Sequence, residues 1–214
     1  MPWYSPLPAE REDEVKKILR KANFPEEVGA ADLKKYPEEF AGGVQPLFDS
    51  RLGIYIFGPL GVGKTHFAVA IGRAWVRHRM HLEMFEALSD YNAYRAKDVC
   101  FVDSADMVRD IQAAKWRKTE AGVEGEDAAI KRYVDRTLLV LDDVGADQPT
   151  PTATSIYRAV IGNRYNKNRL SVFTSNFSID QIGERLREPR ITSRLRQTCR
   201  QIYYNGSDRR QVNR

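Results

Sequence analysis

Cysteine is scarce in this chain. Cys100 and Cys199 are its two in 214 residues. They form no CxxC pair and no disulfide framework, which excludes a small fold held together by disulfides. Each falls in a strand-like run, where a buried thiol is the expectation. The three histidines, His66, His78 and His81, lack the spacing of metal ligands, so packed or solvated rings are expected there. No apolar run approaches the length of a membrane span. The opening Met1-Pro2-Trp3-Tyr4-Ser5-Pro6 has neither the basic start nor the apolar stretch of a secretory leader. The expected location is therefore the cytoplasm, with no membrane partner.

What is present describes a globular protein. Hydrophobic residues make up 42% and charged residues 29%, and the length suits one domain of ample core, with or without a short appendage. The net charge of +5 is unevenly spread. Arg158 to Arg214 holds 13 Lys and Arg against 4 Asp and Glu, whereas the residues before it hold 21 against 25. The basic character is local. A polyanion partner accounts for it, as do arginines serving a nucleotide site or a protein interface, and as does a solvated basic face.

The most specific pattern is Gly58-Pro59-Leu60-Gly61-Val62-Gly63-Lys64-Thr65, which follows the apolar run Gly53-Ile54-Tyr55-Ile56-Phe57. It fits GxxxxGK[ST] between a predicted strand and a predicted helix, the context in which the pattern signifies a phosphate-binding loop. Glycines let the backbone fold into a cradle of inward amides, and the helix start adds its positive dipole end. On this reading Lys64 reaches the β and γ phosphates of ATP, and the Thr65 hydroxyl supplies one oxygen to Mg²⁺.

Elsewhere, residues 1 to 9 are expected to be extended and Glu10 to Lys21 helical, with Val15, Ile18 and Leu19 on one face. A helix runs from the loop to about Arg79, and residues 82 to 97, including Tyr91, Asn92 and Tyr94, read as an insertion. Val99 to Val102 reads as a strand. The next helix is predicted from Ser104, an N-cap candidate, to Lys118. It ends in Lys115-Trp116-Arg117-Lys118, a basic cluster that can meet a nucleic-acid backbone while the ring stacks on a base; a solvated helix end accounts for it equally well. Gly122 to Asp127 reads as a polar, mobile stretch. The buried run Leu138 to Leu141 delivers Asp142 and Asp143 to a strand end, where Asp142 would hold Mg²⁺ through water and Asp143 would orient the attacking water. Helical spacing resumes over Thr152 to Lys167. Leu170 to Thr174 is a strand whose tip, Ser175-Asn176, places an amide near the γ phosphate. Ile179 to Arg187 is helical, Pro189 interrupts it, and Gln201 to Tyr204 forms a last strand. Five strands alternating with helices imply a three-layer α/β domain with a mainly parallel sheet.

Together, Gly58 to Thr65, Leu138 to Asp143, Thr174-Ser175-Asn176 and Arg190-Ile191-Thr192-Ser193-Arg194-Leu195 resemble the AAA+ P-loop ATPase core of the DnaC/DnaI helicase loaders and the IstB transposition helpers. The ending Asn205-Gly206-Ser207-Asp208-Arg209-Arg210 is similar to the close of DnaI-type chains. The resemblance implies Walker A at Lys64 and Thr65, Walker B at Asp142 and Asp143, and sensor 1 at Asn176. It also implies an arginine finger at Arg194 that reaches a neighbouring subunit, and a single-strand DNA-binding helix from Ser104 to Lys118. A short extension over 1–50 and a core over 51–214 are expected, with no separate carboxyl-terminal lid domain, so Arg209 or Arg210 stands in for a sensor 2 arginine. Asp143 is shorter than the frequent Glu by about 1.5 Å, which implies slow hydrolysis. The implied activity is that of a helicase loader using ATP and Mg²⁺. Its partners would be single-stranded DNA, the replicative helicase and further copies joined through ATP. The alternatives are an IstB-like helper acting on duplex DNA with a transposase, and a non-hydrolysing ATP-bridged DNA clamp.

Overall fold

A computed structural model of the chain describes residues 7–26, 31–42, 44, 47–48, 52–85, 98–114, 116–119, 122–123 and 125–205, with backbone alone at 83–85, 118–119 and 122–123. In chain order, α1 (Ala9–Lys21) and α2 (Glu38–Ala41) precede β1 (Gly53–Phe57), α3 (Lys64–Phe85) and β2 (Val99–Asp103). Then come α4 (Ser104–Ala114), a two-residue pairing of β3 (Lys118–Thr119) with β4 (Gly122–Val123), and α5 (Glu126–Val134). The chain continues through β5 (Leu138–Asp142), α6 (Pro151–Asn166), β6 (Leu170–Ser175), α7 (Ile179–Leu186), α8 (Pro189–Thr198) and β7 (Cys199–Tyr203). Five strands form one sheet in the order β2-β5-β6-β1-β7, with every pairing parallel.

Strands that are covered on both faces must be apolar at successive positions, and β5 is buried at all five,. Alternation along each strand then assigns the side chains to two layers. Ile54, Ile56, Val140 and Val172 face α1, α3 and the lead-in, among Phe67, Ile71 and Trp75. Tyr55, Leu139, Leu141 and Phe173 face the opposite layer, which contains Met107, Ile111, Val160, Ile182 and Leu195. Full burial of each such side chain contributes about 1.5–3 kcal/mol.

The segment before β1 is packed onto this frame. Val15, Ile18 and Leu19 are buried, and Glu12 pairs with Arg73 at 3.5 Å and Arg77 at 2.6 Å on α3. The chain leaving α1 then reaches β2: Phe101 N donates to Ala22 O at 2.8 Å, and the Phe24 and Phe101 rings lie 5.5 Å apart. An otherwise open sheet edge thus gains a backbone partner.

Several boundaries differ from expectation. α3 continues to Phe85 because Met80 extends its buried stripe; the expected insertion therefore begins inside this helix, while Tyr91, Asn92 and Tyr94 lie outside the described residues. α4 stops at Ala114, where Trp116 N and Arg117 N donate to Ala113 O and Ala114 O in a closing turn. The N-cap role belongs to Asp103, whose carboxylate accepts from Ala105 N at 2.8 Å; the Ser104 hydroxyl turns to Asp143 O instead. Gly122 to Asp127 contains β4 and the first two residues of α5. α8 is a separate helix, begun by Pro189 and capped by Glu188, whose carboxylate accepts from Arg190 N. The expected sensor 2 substitutes Arg209 and Arg210, and the start of the chain up to Pro6, are outside the described residues.

Candidate nucleotide site

The loop from Gly58 to Gly63 leaves the carboxyl end of β1, between β6 and β7. Gly61 and Gly63 have φ of +81° and +97°, conformations that side chains rarely adopt. Gly58 is required for a different reason: a Cβ there would overlap the carbonyl oxygen of Tyr204. Tyr204 N in turn donates to Phe57 O at 2.7 Å, so the end of β7 presses against the loop and fixes its base.

Lys64 opens α3 and is buried. Its ammonium donates to Gly58 O at 2.9 Å, Pro59 O at 2.6 Å and Asn176 Oδ1 at 2.7 Å. Asn176 Nδ2 donates to Asp143 Oδ1 at 3.2 Å. One amide at the tip of β6 therefore joins the loop lysine to the carboxylate after β5. The adjacent Thr65 hydroxyl donates to Asp142, 3.1 and 3.0 Å from its two oxygens. Parallel registry of β5 and β6 also brings Thr174 beside Asp142, to which its hydroxyl donates. The same oxygen accepts from Asp143 N at 2.8 Å. Asp143 has φ of +55°, an uncommon state for a non-glycine residue that is held here by bonds to its amide, carbonyl and carboxylate,. Burial pushes the Asp142 carboxyl above its ordinary value, against the hydrogen bonds of Thr174 and Thr65; Asp143 and Asp103 push it the same way,.

The structure brings Lys64, Thr65, Asp142, Asp143 and Asn176 into one hydrogen-bonded group. It does not place Arg194 in that group. On α8, the Arg194 guanidinium lies where a Cβ on Gly162 of α6 would be, 5.6 Å from the Tyr165 ring centroid. The described residues of the expected DNA cluster are likewise apart and are not helical. Trp116 is 84% exposed in a turn, Arg117 pairs with Asp110 at 2.7 Å, Lys118 is in β3, and Lys115 lies outside the described residues. Burial pushes the Asp110 carboxyl up, but hydrogen bonds from Arg117, Tyr133 and Arg132 hold it below the usual carboxylate range.

Sequence reasoning passed over Thr174, Ser104 and Asp103 as site-supporting residues. Their roles come from strand register and helix start, which no local pattern announces. Arg164 was counted with the basic excess but is an interior residue. Its guanidinium donates to Ser171 Oγ, to the carbonyls of Tyr133, Val134 and Arg136 at 2.8–3.1 Å, and to Leu170 O.

Residues 47–214 match the family model described as IstB-like ATP binding protein. The chain belongs to this family. IstB-like membership makes it a nucleotide-binding protein, and the lysine, glycines and threonine described above are the part of the fold suited to a triphosphate. Among curated proteins, the chain is 25% identical over 148 residues to the insertion sequence IS232 putative ATP-binding protein of Bacillus thuringiensis subsp. berliner, covering 69% of this chain and 49% of that protein. The chain spans about half the length of the curated relatives it matches. Among solved structures, its fold is similar to the DnaC helicase loader (TM-score 0.66, 18% identity, 84% of this chain and 99% of that one). It is also similar to DnaI (TM-score 0.63, 19% identity, 87% and 94%). Among the described residues, no helix is long and apolar enough to cross a membrane.

Proposed function

We propose that this IstB-like protein hydrolyses ATP to drive assembly on DNA, as a helper of an insertion element. The observation that supports the reading is the Lys64–Asn176–Asp143 chain, which links the phosphate loop to the carboxylate that would orient water. Lys64 exchanges its loop carbonyls for phosphate oxygens, which are stronger acceptors for an ammonium. Thr65 and Asp142 offer an all-oxygen donor set that fits Mg²⁺, which when bound neutralises charge on the phosphates. Asp143, fixed by Thr174 and Asn176, accepts a hydrogen bond from the attacking water and aligns it. Asn176 stays within reach of both sides as charge develops. Arg194 serves a neighbouring copy after leaving its place against Gly162, and Trp116 offers an exposed ring to a base or a partner.

The insertion-sequence relative favours the helper reading over the helicase loader that the resemblance to DnaC/DnaI implies. The loader remains a second reading because the fold similarity spans nearly the whole of the DnaC chain. ATP turnover measured alone, with duplex DNA and with single-stranded DNA tests both. Stimulation by duplex supports the helper and stimulation by single strands supports the loader. Tight ATP binding with no turnover under any condition leaves the non-hydrolysing clamp.

A further inference from the structure

We infer that the groove between the start of α6 and the turn joining α7 to α8 binds a nucleic-acid phosphate backbone; this rests on the DNA-directed reading given above. The groove, of about 570 Å³, is lined by Arg158, Arg185 and Arg187, with Thr154 and Ser155 among its polar groups and Glu188 as the one carboxylate. Arg185 is fixed in place. Its Nε donates to Gly145 O at 3.1 Å and its Nη2 to Asp147 O at 3.4 Å, and the guanidinium lies 4.3 Å from the Phe177 ring centroid. These partners are backbone carbonyls and a ring, and among the described residues no carboxylate pairs with it. Arg187 ends α7 with φ of +51° and is exposed, and no hydrogen bond or ion pair among the described residues holds its side chain. Arg158 approaches Glu188 at 3.7 Å, a separation at which a surface pair is worth little. The exposed Arg190 follows on the first turn of α8.

Three other basic residues of this part of the chain are committed elsewhere. Arg164 is buried on carbonyls, Lys167 pairs with Asp135, and Arg196 pairs with Asp180. Among the described residues, Arg158, Arg185, Arg187 and Arg190 therefore gather basic charge at this corner, next to the loop that follows Asp143. Guanidiniums supplied by two helices and the turn after them, with hydroxyls between, suit a chain of phosphates that passes along an open groove. The Lys115–Lys118 region is less well suited, because Asp110 already holds Arg117.

The test compares the full chain with a variant carrying Arg158→Gln and Arg187→Asn, since Asn tolerates a left-handed backbone. Binding of labelled single-stranded and duplex oligonucleotides is followed by anisotropy over a salt series, with ATP affinity and circular dichroism as controls. Loss of two phosphate contacts should flatten the slope of log K on log salt by about 1.4 for single strands or about 1.8 for duplex. Restoring charge with Arg187→Lys should recover about half of that, and ATP affinity should not change. A variant slope equal to wild type overturns the groove while leaving the ATP reading intact. If the slope is unchanged but ATP-dependent self-association disappears in light scattering, the face belongs to a second copy and the inference is also overturned. A wild type that binds ATP but neither oligonucleotide overturns the DNA-directed reading itself.

Discussion

Asn176 Oδ1 accepts a hydrogen bond from the Lys64 ammonium at 2.7 Å, across 112 residues of sequence. The contact exists because β6 lies beside β1 in parallel and both strands end together, with Phe57 opposite Ser175. Strand pairing, not local sequence, thus positions an amide over the phosphate loop. The same amide donates to Asp143, so it joins the loop lysine to the carboxylate proposed to orient water.

Replacing Asn176 with Ala should separate the two. ATP affinity should stay within about threefold of wild type, because the loop and Lys64 remain. Turnover should fall by about 10² to 10³, the usual cost of losing one preorganised donor. Single-turnover hydrolysis beside calorimetric affinity checks this, and an equal loss in both would make Asn176 a binding residue only.

Gly58→Ala should destabilise the protein by about 2–4 kcal/mol, because the new methyl meets the Tyr204 carbonyl in a backbone state that disfavours side chains,. Gly125→Ala provides the contrast. Its φ is +79°, but nothing lies within 4 Å of the added carbon, so only the conformational cost of about 1 kcal/mol applies. Denaturant unfolding of the two variants measures the difference.

Asp142 gives the site a pH dependence of defined sign. Burial raises its carboxyl pKa, so the folded protein retains this proton at a pH where the unfolded chain has released it. This group therefore weakens the ligand-free fold as pH rises from the ordinary carboxylate value of 3.8 through the raised one. If Asp142 holds the metal as the anion, metal-assisted ATP binding should weaken as pH falls into the range where Asp142 carries its proton, and there it should release that proton. Calorimetry in buffers of different ionisation enthalpy measures the release, and Asp142→Asn should abolish it.

Arg194→Ala protomers should bind ATP nearly as wild type does yet turn it over about 10³-fold or more slowly if the guanidinium acts on a neighbour. Mixing them with Asp143→Ala protomers should restore part of the activity that neither shows alone. A mixture that stays inactive while wild type forms active oligomers would assign Arg194 to packing against Gly162.

Much of the frame was legible because its signals are local. Doubly covered strands read as unbroken apolar runs, and the loop declares itself through fixed glycine and lysine positions. Asp142 and Asp143 stood out because they end such a run. α5 was missed because Glu126–Val134 is short and fully buries only Ala129 and Val134, with Ile130 and Tyr133 partly covered. The end of α4 was misjudged because helix propensity continues through Lys115–Lys118, whereas the Arg117–Asp110 pair and the β3–β4 pairing turn the chain. Thr174 and Arg164 act through partners far away in sequence, so their roles required the register and packing of the sheet.

The central claim is that the Gly58–Thr65 loop holds ATP through Lys64, and calorimetric titration of ATP with Mg²⁺ into wild type and Lys64→Ala tests it most directly. Removing a charge-assisted bond of about 1.5–3 kcal/mol should weaken binding by about tenfold to more than a hundredfold. The melting temperature should change little, because the loop carbonyls freed of Lys64 can be satisfied by water. Equal ATP affinity in the two proteins would contradict the assignment of this loop as the nucleotide site.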